Sequence, residues 1–175
     1  LVQSAKVVPD IEMQNEMSKY YQISVYSGIA KKKPRIIRKD QEELIVQNNY
    51  MRTLRLVAAK GQQKAIVVYW GTLQTGIADS GGTEIIWKDH NGDKFPPRTT
   101  ALRYLLRFAL VDVNSGSWSM YLPVVQAAGY QKSAAFNDGT SDLAQAESLK
   151  QRAYAEAARG LAENFAKAAS SPGRS

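Results

Sequence analysis

The side chains that most often carry chemistry in proteins are scarce in this sequence. It has no cysteine, which excludes disulfides, thiolate metal sites and cysteine nucleophiles. Its single histidine, His90, excludes a multi-histidine metal site within one subunit. It lies in the turn-forming segment from Asp89 to Asp93, where we expect its side chain to be exposed. A hydrolase pairing His90 with Asp89 or Asp112 is the one catalytic alternative, but no spacing typical of a catalytic set supports it. We therefore predict a protein that is not an enzyme and needs no metal and no cofactor.

Basic side chains are concentrated in one segment of the first third. Residues 1–64 hold 12 Lys and Arg against 6 Asp and Glu, whereas the whole chain holds 23 against 16. The candidate contact residues are Lys31, Lys32, Lys33, Arg35, Arg38 and Lys39. Such a segment is typical of a solvated connector, of a contact with an anionic membrane surface or partner protein, or of a grip on nucleic-acid phosphates. Nucleic acid ranks last because a second basic stripe is missing and only a few nearby tyrosines could stack on bases.

A second group of candidates lies in the second half of the chain. Arg103 and Arg107 have the same parity along a predicted strand, so their side chains emerge on one face. That face is either the solvent side of a sheet or a subunit contact, where arginine is enriched. Trp118 and Tyr121 are predicted to anchor the core or an interface. These four residues form the candidate interface.

Three helices are predicted to carry these groups. The first begins after Asp10, its predicted cap, and runs to about Tyr20, and the second spans residues 40–60 with Asp40 as its cap. The third begins at Ser141 or Asp142 and runs to about Ala169, with apolar residues on one face and alanine filling much of the rest.

Strands are predicted between the helices. Residues 23–26, 65–73 and 83–87 have the β-branched and aromatic content of strands, and the stretch from Thr99 to Leu122 alternates as a long β-hairpin around Asn114-Ser115-Gly116. Residues 126–141 are small and polar and are predicted to form a flexible insertion. The predicted fold class is α/β, with a single mixed or mainly antiparallel sheet, a long β-hairpin and helices on one or both faces. We expect one domain over residues 1–169 and a disordered tail over 170–175.

The hairpin sequence Leu110-Val111-Asp112-Val113-Asn114-Ser115-Gly116-Ser117-Trp118-Ser119 resembles that of the curli-secretion lipoprotein superfamily. This superfamily includes the penicillin-binding-protein activators and the exopolysaccharide-export ring lipoproteins. The resemblance extends to the order of helices and strands over residues 40–169. The 126–141 insertion is a departure, and no segment resembles a membrane-inserting hairpin, so pore formation is not implied.

The resemblance implies an exported bacterial lipoprotein of the periplasm, without catalytic activity and often oligomeric. Because the chain begins at Leu1, we expect a signal peptide and a lipidated cysteine to precede it, with the lipid in the outer membrane. The predicted function is that of an accessory or assembly protein of the bacterial cell envelope. Its partners would be other envelope proteins or copies of itself, with an anionic membrane surface as a further contact. The alternative is a basic nucleic-acid-binding module that uses residues 31–39.

Overall fold

The structure is a computed structural model, and it describes residues 1–29, 35–39, 42–46, 49–79, 81, 84–131 and 140–170. The chain divides into two compact units, each assembled from separate stretches. Unit 1 comprises Leu1–Pro9, Ser24–Tyr69 and Ala109–Met120, and unit 2 comprises Asp10–Ile23, Trp70–Phe108 and Tyr121–Ser175. The expectation of one domain over residues 1–169 stays a prediction. Of the disordered tail expected over residues 170–175, Ser170 is instead the last residue of a helix, and residues 171–175 lie outside the described residues.

The described residues form a mixed sheet of six strands, a separate two-stranded hairpin and three helices. In chain order the elements are β1 (Val2–Gln3), α1 (Ile11–Ser18), β2 (Arg35–Lys39), β3 (Glu42–Val46), α2 (Tyr50–Lys60), β4 (Ala65–Ala78), β5 (Ile85–Asp89), β6 (Thr99–Asp112), β7 (Trp118–Tyr121), β8 (Gln126–Gly129) and α3 (Thr140–Ser170). The sheet order is β1-β4-β6-β7, with β5 also paired to β4 and β8 also paired to β6. β1 runs parallel to β4, whereas β5 and β8 run antiparallel to their partners. The predicted α/β class is confirmed.

The long β-hairpin is confirmed as β6 and β7, with β7 at the end of the sheet path. Strand β6 follows the predicted alternation in unit 2, because Leu102, Leu106 and Phe108 are buried while the residues between them are partly exposed. Strand β4 is longer than predicted and continues to Ala78. Each of these two strands therefore contributes residues to both units.

Helix α3 is confirmed within one or two residues of its predicted ends. Its buried face, which includes Leu149, Tyr154 and Leu161, packs in unit 2. The ring of Tyr154 stands edge-on to Tyr104 of β6, with their centroids 6.0 Å apart. Edge-to-face pairs of this kind add about 0.5–1.5 kcal/mol to the energy of burial. The contact holds the C-terminal helix against one face of the sheet.

The predicted helix over residues 40–60 is wrong in its first half. Residues 42–46 form strand β3, which pairs antiparallel with β2, and α2 begins only at Tyr50. The sequence Leu44-Ile45-Val46 is rich in β-branched residues, and it has a strand partner that helical spacing alone does not reveal. Asn49, not Asp40, caps the helix, because its side chain accepts the Arg52 amide at 3.1 Å. The basic connector predicted over residues 31–39 is likewise a strand from Arg35 onward.

The N-terminal residues, which carry little pattern in the sequence, form β1 with Val2 buried beside β4. Two further local predictions are wrong. Residues 23–26 form no strand and contribute an isolated bridge between Tyr26 and Val2. Residues 126–129, predicted to belong to a flexible insertion, form β8, because pairing with β6 overrides a weak local pattern. Residues 132–139 of that insertion lie outside the described residues.

Candidate interaction surface

Arg103 is held by two contacts within unit 2. Its guanidinium carbon lies 4.3 Å from the centroid of the Trp87 ring, and its Nε donates to Gln74 Oε1 at 2.6 Å. A guanidinium over an indole face gains cation–π energy, and Trp is the best ring for this contact. Together the stack and the hydrogen bond fix the plane of the guanidinium.

The groups that hold Arg103 are themselves positioned by the β4–β5 pairing. Gln74 lies opposite Asp89 and donates from Nε2 to Asp89 Oδ1 at 2.6 Å, which turns its amide oxygen toward Arg103. Trp87 lies opposite Gly76, where an added Cβ would come within 3.0 Å of the indole. Glycine at this position therefore allows the ring to lie close to the backbone.

These supporting residues were not predicted from the sequence. The parity of Arg103 on its strand was sufficient to place it on a sheet face, and its partial exposure agrees with that. Gln74, Trp87 and Asp89 become neighbours only through the register of β4 and β5. A signal for these neighbours is present in the sequence. Two alternating segments flank a short polar loop, one with Gln74 and Gly76 and the other with Trp87 and Asp89, and this pattern is typical of a hairpin.

The other predicted interface residues occupy different environments. Arg107 is partly exposed on the same strand as Arg103. The ring of Tyr121 packs against Phe108, with centroids 5.8 Å apart, and its hydroxyl approaches Gly160 of α3 so closely that a side chain there would collide with it. Burial raises the pKa of Tyr121. Arg103 and Tyr121 therefore do not form one cluster, since Tyr121 packs on the side of β6 that carries Phe108.

Trp118 belongs to unit 1 and is 69% exposed, and its neighbour on β7, Met120, is 44% exposed. Trp118 is therefore not part of the core. β7 begins immediately after a tight turn that α2 holds in place. Arg55 donates from Nε to the Val113 carbonyl at 3.1 Å and from Nη2 to the Asn114 carbonyl at 2.8 Å. These bonds fix the turn from which the exposed Trp118 projects.

Inside the turn, Asp112 acts as the acceptor. One of its carboxylate oxygens accepts the Ser115 amide at 2.6 Å and the Ser115 hydroxyl at 2.8 Å. These two bonds lower the pKa of Asp112, since both favour the ionised carboxylate. Gly116 follows at φ +77°, in the left-handed region that favours glycine. Asp112 therefore has a structural role, and no described contact joins it to His90.

His90 is half-buried, not exposed as the turn-forming sequence around it had suggested. Its ring stands edge-on to Phe95, with centroids 4.9 Å apart, and Phe95 in turn contacts Tyr130 at 5.2 Å. The Tyr130 hydroxyl donates to Asp142 on α3. Burial and this carboxylate raise the pKa of Tyr130 to about 12. His90 thus belongs to an aromatic row that ends on α3.

The predicted basic contact residues lie partly in β2 and partly outside the described residues. Lys31, Lys32 and Lys33 lie outside the described residues. For Arg35, Arg38 and Lys39 the structure gives the backbone of β2. Their proposed contact with an anionic membrane, a partner or nucleic acid stays a prediction.

A concave site that was not predicted lies in unit 2 between the sheet and α3. Its volume is about 430 Å³, and its walls include Leu73, Leu143 and two alanines of α3. Tyr104, Glu147 and Lys150 supply its polar groups. Lys150 Nζ lies 3.0 Å from Glu147 Oε1, so these two charged side chains form an ion pair at the rim of the site. No spacing in the sequence distinguishes this pair from an ordinary surface pair on a helix.

Asp10 completes this polar group from the start of α1. It was predicted to cap that helix, but its side chain makes no capping bond and instead accepts the Tyr154 hydroxyl at 2.8 Å and lies 3.7 Å from Lys150 Nζ. Burial alone would lower the pKa of Lys150, yet the carboxylates of Glu147 and Asp10 outweigh it, so the pKa is raised. Lys150 therefore stays charged.

The described residues contain no group of three or more His, Asp or Glu side chains arranged to hold a metal ion. Among the helices of the described part of the chain, none combines the length and the apolar character needed to cross a membrane.

The class of protein follows from comparison with known families: a model of a bacterial lipoprotein family matches residues 1–164, nearly the whole chain. The family is described as YafT bacterial lipoprotein, and the chain belongs to it. Membership indicates association with the cell envelope and supports the lipoprotein part of the expected identity. No curated protein and no solved structure matches the chain.

Proposed function

We propose that this chain is a non-catalytic accessory or assembly protein of the cell envelope that acts through contacts with other envelope proteins or with copies of itself. We further propose a periplasmic location with a lipid anchor in the outer membrane. The relationship that we propose with the curli-secretion and penicillin-binding-protein-activator lipoproteins rests on the sequence of residues 110–119. The absence of cysteine and the single histidine in the sequence support a role without catalysis.

The observation that carries the contact function is the exposure of Trp118. It lies on the strand that ends the sheet path and leaves 69% of its surface in solvent. Tryptophan is enriched among the residues that dominate interface energies, and exposed strand edges readily pair with other chains. Met120, on the same strand and also exposed, adds apolar surface beside it. A partner that covers Trp118 would gain about 25 cal/mol for each Å² of apolar surface removed from water.

Photo-cross-linking in bacteria tests the contact. A photoreactive amino acid replaces Trp118 in one strain and Lys60, an exposed residue of α2 in the same unit, in the control strain. We expect discrete cross-linked species from position 118 that are absent from position 60. Light scattering on the purified chain then shows whether the partner is a second copy. A monomer that forms no cross-links at position 118 would contradict the contact function.

Density-gradient fractionation of the envelope tests the location. The proposal expects the protein in the outer-membrane fractions and its release by a lipoprotein-type detergent extraction, not by salt alone. Recovery of the full-length protein with the inner membrane or in the cytosol would contradict the proposed location, while the contact function would stand on its own test.

A further inference from the structure

We propose that Arg103 is the anchor of a carboxylate-binding site on one face of the sheet in unit 2, and that its ligand is an acidic segment of a partner protein. This inference rests on the proposed contact function and names the chemical class of the ligand that this function would bind. It concerns residues of unit 2, whereas Trp118 belongs to unit 1.

The side chain of Arg103 is already held in the conformation that a ligand would meet. A free arginine on a protein surface loses rotamer entropy when it is fixed, and this loss weakens most exposed ion pairs. The stack on Trp87 and the hydrogen bond from Nε to Gln74 already restrict Arg103. A ligand that binds the terminal nitrogens therefore meets a guanidinium whose plane is fixed, so less entropy is lost on binding.

Arg103 keeps hydrogen-bond donors that its contact with Gln74 does not use. A guanidinium has five N–H donors, and the bond to Gln74 uses the one on Nε. Among the described residues, the carboxylates that form ion pairs do so with Lys19, Lys150 and Arg159, and none with Arg103. Asp89 is bound to the Gln74 amide. Within the described part of the chain, the Nη1 and Nη2 donors are thus left for a ligand, and their fork fits the two oxygens of a carboxylate.

The spacing of Arg103 and Arg107 on β6 indicates which kind of molecule supplies the carboxylate. Arg107 is four residues further along β6 with the same parity, and at about 3.3 Å per residue the two positions are about 13 Å apart. An extended acidic segment with carboxylates four residues apart has the same spacing. A phosphate, in contrast, is normally held by several cationic or backbone donors that converge on one point. Two arginines separated in this way favour an acidic polypeptide over phosphate.

The test uses the complete chain and three probes: a capped hexaglutamate peptide, a capped hexaglutamine peptide and inorganic phosphate. The indole N–H resonances report binding, because the chain has three tryptophans and Trp87→Phe identifies the relevant one. We expect hexaglutamate to shift the Trp87 resonance and hexaglutamine to leave it unchanged. Equal binding of phosphate and hexaglutamate would overturn the choice of an acidic polypeptide.

Substitutions assign the effect to Arg103. Arg103→Gln should abolish the shift, and Arg103→Lys, which keeps the charge but loses the fork, should weaken binding by about tenfold. The matched control is Arg52→Gln, which removes one positive charge from an exposed position in unit 1 and should leave binding unchanged. Hexaglutamate binding that survives Arg103→Gln, or falls equally with Arg52→Gln, would refute the site. Circular dichroism of each variant confirms that it is folded.

The outcome separates this inference from the function on which it rests. Cross-links at position 118 together with no hexaglutamate binding would overturn the carboxylate site and leave the contact function standing. Hexaglutamate binding through Arg103 without cross-links at position 118 would support the site and contradict the evidence drawn from Trp118.

Discussion

In a purified chain that is made to begin at Leu1, the buried α-amino group gives a stability prediction, and the structure gives its size. Leu1 is 8% exposed, and its ammonium donates to the Ser24 carbonyl at 2.6 Å. Burial penalises the charged form and lowers the pKa of the amine from 8.0 to about 6. Two pKa units correspond to about 2.7 kcal/mol at 1.36 kcal/mol per unit. A chain that carries a free amine at Leu1 should therefore be less stable in mild acid than in mild base.

The sign follows from proton binding. Between pH 6 and pH 8 the unfolded chain holds the proton more tightly than the folded chain, since burial has lowered the folded pKa of Leu1. The free energy of unfolding should consequently rise with pH across this window and level off above pH 8. Below pH 6 the amine is charged in both states and causes no further loss. The expected total change is about 2 to 3 kcal/mol.

Urea unfolding followed by circular dichroism at pH 5.5, 7.0 and 8.5 measures the effect. The control is a chain with one serine added before Leu1, because a peptide N–H can still donate to Ser24 but carries no charge. A poor fit of the added residue would shift all three stabilities equally, so the pH slope remains the relevant quantity. Equal slopes for the two chains would refute the assignment and point to another group that titrates in this range.

Three further predictions concern single contacts, each measured by urea unfolding. Gly116→Ala should cost about 1–3 kcal/mol because its φ is +77°, whereas Gly129→Ala, whose added Cβ meets nothing within 4 Å, should be close to neutral; equal losses would contradict this. Asn49→Ala should cost about 1 kcal/mol by removing the cap of α2 and Asn49→Ser should restore most of it; no loss in the alanine variant would argue against the cap. Tyr154→Phe should cost about 1 kcal/mol by removing the hydroxyl bonded to Asp10, and a stability unchanged by this substitution would show that the bond contributes nothing.

The elements that the sequence predicted well have strong local signals. Strand β6 alternates between Leu102 and Phe108, and helix α3 is a long run of helix-forming residues with one apolar face. Neither needs a partner to be recognised. Residues 42–46, by contrast, fit a helical spacing and a strand equally well, and their pairing with β2 decides between the two. The same holds for Val2, which is buried through a parallel partner 66 residues away.

The candidate site also has features that the sequence predicts and features that it does not. The shared face of Arg103 and Arg107 on one strand could be predicted, because it depends only on a period of two. The stack of Arg103 on Trp87 and its hydrogen bond to Gln74 could not be predicted, because they depend on the register between β4 and β5. Tyr121 was assigned to a possible interface, and its contact with Gly160 on α3 depends on the packing of a helix nearly 40 residues later in the chain. Local sequence patterns thus predict the face of a strand on which a side chain lies. Tertiary packing determines which side chains on that face are held in place.

The bond between Tyr154 and Asp10 has a consequence for the order in which the chain can fold. It joins residues 144 positions apart, and both belong to unit 2. Closing a loop of that length costs entropy before the contact returns any energy, so folding of unit 2 should be slow compared with that of a helical domain of similar size. The residues of α3 are also synthesised after the other stretches of unit 2. Unit 2 can therefore be completed only after synthesis of the helix that packs on Tyr104.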